Sequence, residues 1–255
     1  MSSSDRDTNW QWLYWIGGAA ILIAVVVFRR HFAAELTLLM DMDIIDLEPP
    51  GSALDWFTLL QDKPFLGLIL LDLFDIVNYL LVSLMFLALY GALGHANKSA
   101  MIVVMACDLV GTAVYLASNQ AFALSALSNQ YAVASTDVQR DTFLAAGEAL
   151  LAIHNSGGIH LSLLLVALAG LIASLVMLRS RILGKATATM GLIANSLVLS
   201  YFVALPLVPA IAPLFPASSA PFRLIWYILI ARRLFQLGRG VPAEQEPNDK
   251  GSQVR

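Results

Sequence analysis

Three carboxylates stand where the sequence offers them little water. Asp72 and Asp75 fall inside the apolar stretch LDLFDIVNYL, and Asp108 falls inside CDLVGTAVYLASN. An ionisable side chain in such surroundings is expensive to desolvate, so each one asks for a partner or a task. Asp72, Asp75 and Asn78 recur every three residues, and at 100° per residue that spacing sets them within an arc of about 120° on one helix face. Asp108, Thr112, Tyr115 and Asn119 follow at steps of four, three and four, a second helical stripe. Acids, an amide and hydroxyls on two facing stripes suit the capture of a cation, a proton or the polar headgroup of a lipid.

Further residues extend this set. Arg223, just after Pro221, is flanked on both sides by apolar sequence and is the natural counter-charge for Asp72 or Asp75. Glu148, Asn155 and Ser162 stand at heptad spacing with His154 and His160 beside them, and Glu148 and His154 are expected in the mouth of a polar recess. The two histidines are six residues apart, whereas a helical metal pair needs three or four, so no metal centre is read. No cofactor motif is present. Paired acids in an apolar recess also suit acid–base catalysis, which makes Asp72, Asp75, Asp108 and Glu148 the catalytic candidates of that rival reading.

The elements that must hold these residues follow from composition. Of 255 residues 58% are hydrophobic and 13% charged, against roughly 25% charged in an average soluble domain. Apolar runs of 18 or more residues recur, each long enough to cross about 30 Å of hydrocarbon. The fold class is therefore all-α, a polytopic membrane helix bundle of about six transmembrane helices with two long outer segments. The spans are expected at about 11–29, 65–91, 99–119, 159–179, 185–207 and 219–237. Residues 1–238 form one membrane domain, and 239–255 a disordered cytoplasmic tail. A net charge of −3 without a basic stripe excludes nucleic acid as a partner. The lone Cys107 excludes a disulfide scaffold.

With six spans, Arg29, Arg30, Lys63, Arg140 and Arg223 fall on one side and the majority of Lys and Arg on the other. The positive-inside rule then makes both termini cytoplasmic in a multi-pass protein of the cell membrane. The outer side is acidic. Its first segment, residues 32–64, holds an apolar and acidic run from Ala33 to Glu48 that reads as a short amphipathic helix or a partner-facing loop, then breaks at Pro49-Pro50-Gly51. The second, Asn119 to Asn155, is alanine-rich and helical by propensity. Ser156-Gly157-Gly158 reads as a kink or break. The turn near His95 makes the second and third spans antiparallel neighbours, with Asp75 level with Tyr115 and Asp108 about 10 Å closer to the cytoplasm. Few polar groups interrupt the inner halves, so the recess is expected to open outward and to be closed within.

The stretch from His154 to Phe202 resembles a family of uncharacterised bacterial multi-span integral membrane proteins, a domain of unknown function. The likeness is carried by His154, Gly157 and the connector Arg181-Ile182-Leu183-Gly184, and upstream by the paired aspartates of LDLFDIVNYLL. What the resemblance implies is the topology, without an activity.

The leading expectation is an outward-facing intramembrane polar pocket for a cation, proton or lipid headgroup, serving transport or sensing. Asp72, Asp75, Asn78, Asp108, Thr112, Tyr115, His154, Asn155 and Arg223 are its binding residues. The partners are membrane lipids and a small cation or lipid ligand. One alternative is an intramembrane acid–base enzyme acting on a lipid or isoprenoid. Another is a structural subunit that docks a partner through the acidic outer loop.

Overall fold

The computed structural model describes residues 10–26, 50–155, 157–180 and 182–240. Among these there is no strand. The run from Ala33 to Glu48, the Arg29-Arg30 pair and the tail beyond Gly240 lie outside the described residues, as does Arg181 of the connector.

The first helix, α1, covers Trp10–Val26. Two short helices follow, α2 (Ala53–Asp62) and α3 (Pro64–Leu70), then the long α4 (Leu73–Leu93) and α5 (Lys98–Ser118). α6 (Ala121–Ala132) and α7 (Asp137–His154) precede three further long helices, α8 (Gly157–Ser180), α9 (Lys185–Leu207) and α10 (Leu214–Gly238). Local sequence sets the starts. Ser52, Asn97 and Thr136 cap α2, α5 and α7, each accepting the backbone N–H three residues on, from Asp55, Ala100 and Gln139. Pro64 occupies the first position of α3, where its missing N–H costs nothing. Gly184, at φ 83°, turns the chain between α8 and α9.

Among the described residues, five stretches are long and apolar enough to cross a membrane: α4, α5 running on into α6, α7 running on into α8, α9 and α10, with Trp10–Val26 a shorter apolar helix beside them. The protein is thus an all-α, multi-span membrane helix bundle. α4 packs on α5, α5 on α8, α8 on α9 and α9 on α10. α1 closes the ring. Trp10 lies against Tyr90 and Gly91 of α4, while Trp15 packs at a tilt against Phe235 and donates its indole N–H to Gly238 O of α10 at 3.2 Å. Inside this ring Met85, Phe86, Leu89, Met101, Val104, Met177, Trp226 and Ile230 make a continuous apolar core.

A second, smaller core lies at the end of the bundle away from the α4–α5 turn. Phe57, Trp56 and Leu60 of α2 meet Leu71, Leu124 of α6 and Leu151 of α7 there. Polar bonds fasten these helices together: Ser128 Oγ donates to Phe57 O at 3.0 Å, and Ala53 N donates to Glu148 Oε1 at 2.7 Å. The sequence reading left 53–62 in an outer segment without a helix. Its signals are the Ser52 cap with Asp55 three residues on, a capping-box spacing.

The second expected span, 65–91, is not one helix. It breaks at Leu71 and Asp72, and Asp72 adopts the left-handed conformation, φ 62° and ψ 31°. Aspartate tolerates this region better than most residues, because its short side chain can bond locally. Side chains of α5 bond to the backbone at the break: Asn119 Nδ2 donates to Leu71 O at 3.2 Å, and Tyr115 Oη donates at 3.4 Å to Asp72 O, which also accepts from Asp75 N at 3.0 Å. α7 ends at His154 with Asn155 as its C-cap, and Ser156 of the other expected break lies outside the described residues.

Candidate functional site

The break in the second span shapes a recess. A cavity of about 550 Å³ opens among α4, α5, α8 and the start of α10, lined on its polar side by Asp72, Asp75, Asn78, Tyr79, Tyr115 and Arg223. Its other walls are apolar: Val82, Ile159, Leu163, Val166, Pro213, Leu214 and Pro216. Volumes of 300–1,000 Å³ with a few convergent polar groups are typical of small-molecule sites.

Each polar group reaches the cavity for a local reason. Asp72 sits at the unwound residue and Asp75 in the first turn of α4. Tyr79 and Tyr115 stack face to face with ring centroids 4.0 Å apart, which braces α4 against α5. Tyr115 is held further by Asn119, whose Nδ2 donates to its hydroxyl at 3.4 Å. On the opposite wall Arg223 donates to Ser219 Oγ at 2.8 Å, one helical turn earlier in α10. Two carboxylates therefore share a recess with one guanidinium.

The remaining residues singled out from sequence lie elsewhere. His154 is buried beside the cavity, its Nε2 3.5 Å from Asp72 Oδ2. Asn155 is exposed and caps α7 through its backbone. Glu148 is engaged at the N-terminus of α2, as a cap for Ala53 N. Asp108 and Thr112 are fully buried between helices and do not line the cavity. Thr112 shares a 3.0 Å hydrogen bond with Ser83 of α4.

Sequence reasoning passed over Tyr79 and Tyr227, which both line the cavity. The signal was available: each stands four residues after a residue it did single out, Tyr79 after Asp75 and Tyr227 after Arg223, which is the spacing of one helix face. It also passed over the pair of His160 and Tyr201, which join α8 to α9 by a 2.8 Å hydrogen bond and a stacked contact. Among the described residues no group of three or more His, Cys, Asp or Glu is placed to hold a metal ion.

This architecture defines an integral membrane protein whose polar side chains gather at one end of an apolar bundle. The chain belongs to the family described as Domain of unknown function (DUF4386), whose model matches residues 12–234. No curated protein and no solved structure matches it.

Proposed function

We propose that the protein binds, within the membrane, an amphiphile that carries a cationic polar head, and that the cavity is the binding site. One observation carries this reading: Asp72, Asp75 and Arg223 meet in a single recess whose other walls are apolar. By formal charge the two carboxylates outweigh the guanidinium, so the recess favours a positive group, such as the ammonium of an aminolipid, over an anionic one. Apolar walls from α8 and α10 suit the adjoining hydrocarbon. The head lies on the extracytoplasmic side in the orientation that the positive-inside rule assigns.

Binding, as in sensing or presentation of a lipid, is favoured over passage through the bundle. The lining reaches Val82, Val166 and Tyr227. Ser83 and Asn195, the polar residues that would continue a route inward, are not part of it.

The test uses delipidated full-length protein in detergent, titrated with phosphatidylethanolamine or phosphatidylglycerol, with thermal unfolding and native mass spectrometry as readouts. The zwitterionic aminolipid should stabilise and remain bound, and the anionic lipid should do so far less. Asp75→Asn should weaken that binding by about tenfold or more, while the ligand-free protein unfolds near the wild-type temperature. Equal response to both lipids would sink the proposal, and so would an Asp75→Asn variant that binds as before.

A further inference from the structure

Asp108 is the middle residue of the 21-residue α5, so it lies near the centre of the hydrocarbon. Its accessible surface is zero, and neither carboxyl oxygen has a hydrogen-bond partner among the described residues. A carboxylate buried in that way is costly unless a positive charge meets it. Lysine and arginine do not occur between Lys98 and Arg140, and Arg223 lies on the cavity wall across the bundle.

Two hydroxyls stand near Asp108: Thr112 follows it by one turn of α5, and Thr112 Oγ1 shares a 3.0 Å hydrogen bond with Ser83 Oγ of α4.

We propose that Asp108, Ser83 and Thr112 form a binding site for a single alkali-metal cation, of the Na⁺ type, between α4 and α5. Hard cations take oxygen ligands, and this set is all oxygen. One carboxylate matches one positive charge. A divalent ion would leave an excess charge in a low-dielectric interior, and a proton on the carboxyl is the rival occupant that the pH arm of the test decides. Hydroxyls at Ser83 and Thr112 accept as well as donate, so the bond they share can turn to place lone pairs on an ion. The site is distinct from the amphiphile cavity: it uses none of the lining residues, and its occupancy stands or falls separately.

The experiment follows thermal unfolding of the full-length protein in detergent at fixed pH and ionic strength, exchanging choline chloride for NaCl or KCl. A saturable rise in unfolding temperature with one alkali cation and none with choline is expected. Asp108→Asn should remove that rise, whereas Asp75→Asn should keep it. Should Asp108→Asn fail to fold, Thr112→Val decides, since it keeps side-chain shape and removes one ligand. It should raise the half-saturating concentration by about tenfold. Identical unfolding in choline, Na⁺ and K⁺ would overturn the proposal, as would a Thr112→Val protein that responds like wild type. A stability that follows pH and ignores alkali cations would replace the ion by a proton and overturn it too.

Discussion

Among the described residues Asp72 alone, apart from glycines, has a positive φ. Such a backbone costs about 1–3 kcal/mol when the residue is poorly suited to it. It persists here because Tyr115, Asn119 and His154 all hold its surroundings in place. Asp72→Asn should fold with nearly wild-type stability, since asparagine also accepts the left-handed region. Asp72→Val should lose about 1–3 kcal/mol, read from chemical or thermal unfolding in detergent. Equal stability of the two variants would mean that backbone strain at this position is unimportant. The strain was not legible in LDLFDIVNYL, because three-residue spacing is compatible with an unbroken helix. The local pattern put Asp72, Asp75 and Asn78 on one face, and all three line the cavity. It left open which neighbour completes the site, because that depends on how α10 packs.

Helices in this bundle approach closely where glycine removes the side chain. At Gly191 of α9 a methyl group would run into Ser174 Oγ of α8 and Trp226 Nε1 of α10. At Gly157, the first residue of α8, a methyl would meet nothing within 4 Å. Gly191→Ala should therefore cost about 1–3 kcal/mol, and Gly157→Ala should leave the unfolding temperature nearly unchanged. The comparison isolates tight packing from intrinsic helix preference, which improves in both variants. A Gly191→Ala protein as stable as wild type would show that α9 can shift without loss. Long apolar helices were readable because hydrophobic runs set their length. The short helices α2 and α3 were harder to read. α2 is stabilised by tertiary packing, with Phe57 in one cluster with Leu124 and Ala53 bonded to Glu148, and such partners are distant in sequence.

Topology is a property of the whole chain, and the charge asymmetry sets an expected answer. Cys107 is the single cysteine, so a Cys107→Ala background accepts one reporter thiol at a time. Ser135 and His95 are both exposed, at opposite ends of α5 and its continuation. Ser135→Cys should react with a membrane-impermeant maleimide on intact cells, and His95→Cys only after permeabilisation. The reverse pattern would invert the orientation and place the cavity on the cytoplasmic side. Composition revealed the bundle because span length is a property of single segments. The ring in which α1 sits between α4 and α10 was hidden, since nothing in α1 alone names its neighbours.

That ring carries a consequence for biosynthesis. The ribosome delivers α1 before α10, at roughly 5–20 residues per second, yet Trp15 bonds to Gly238 and packs at a tilt against Phe235. α1 must wait beside α4, half seated, until α10 has been translated. Assembly therefore has a late checkpoint: a nascent chain that stops short of Gly238 leaves the Trp15 indole N–H without the carbonyl it binds, a mark by which cellular quality control can tell an unfinished molecule from a finished one.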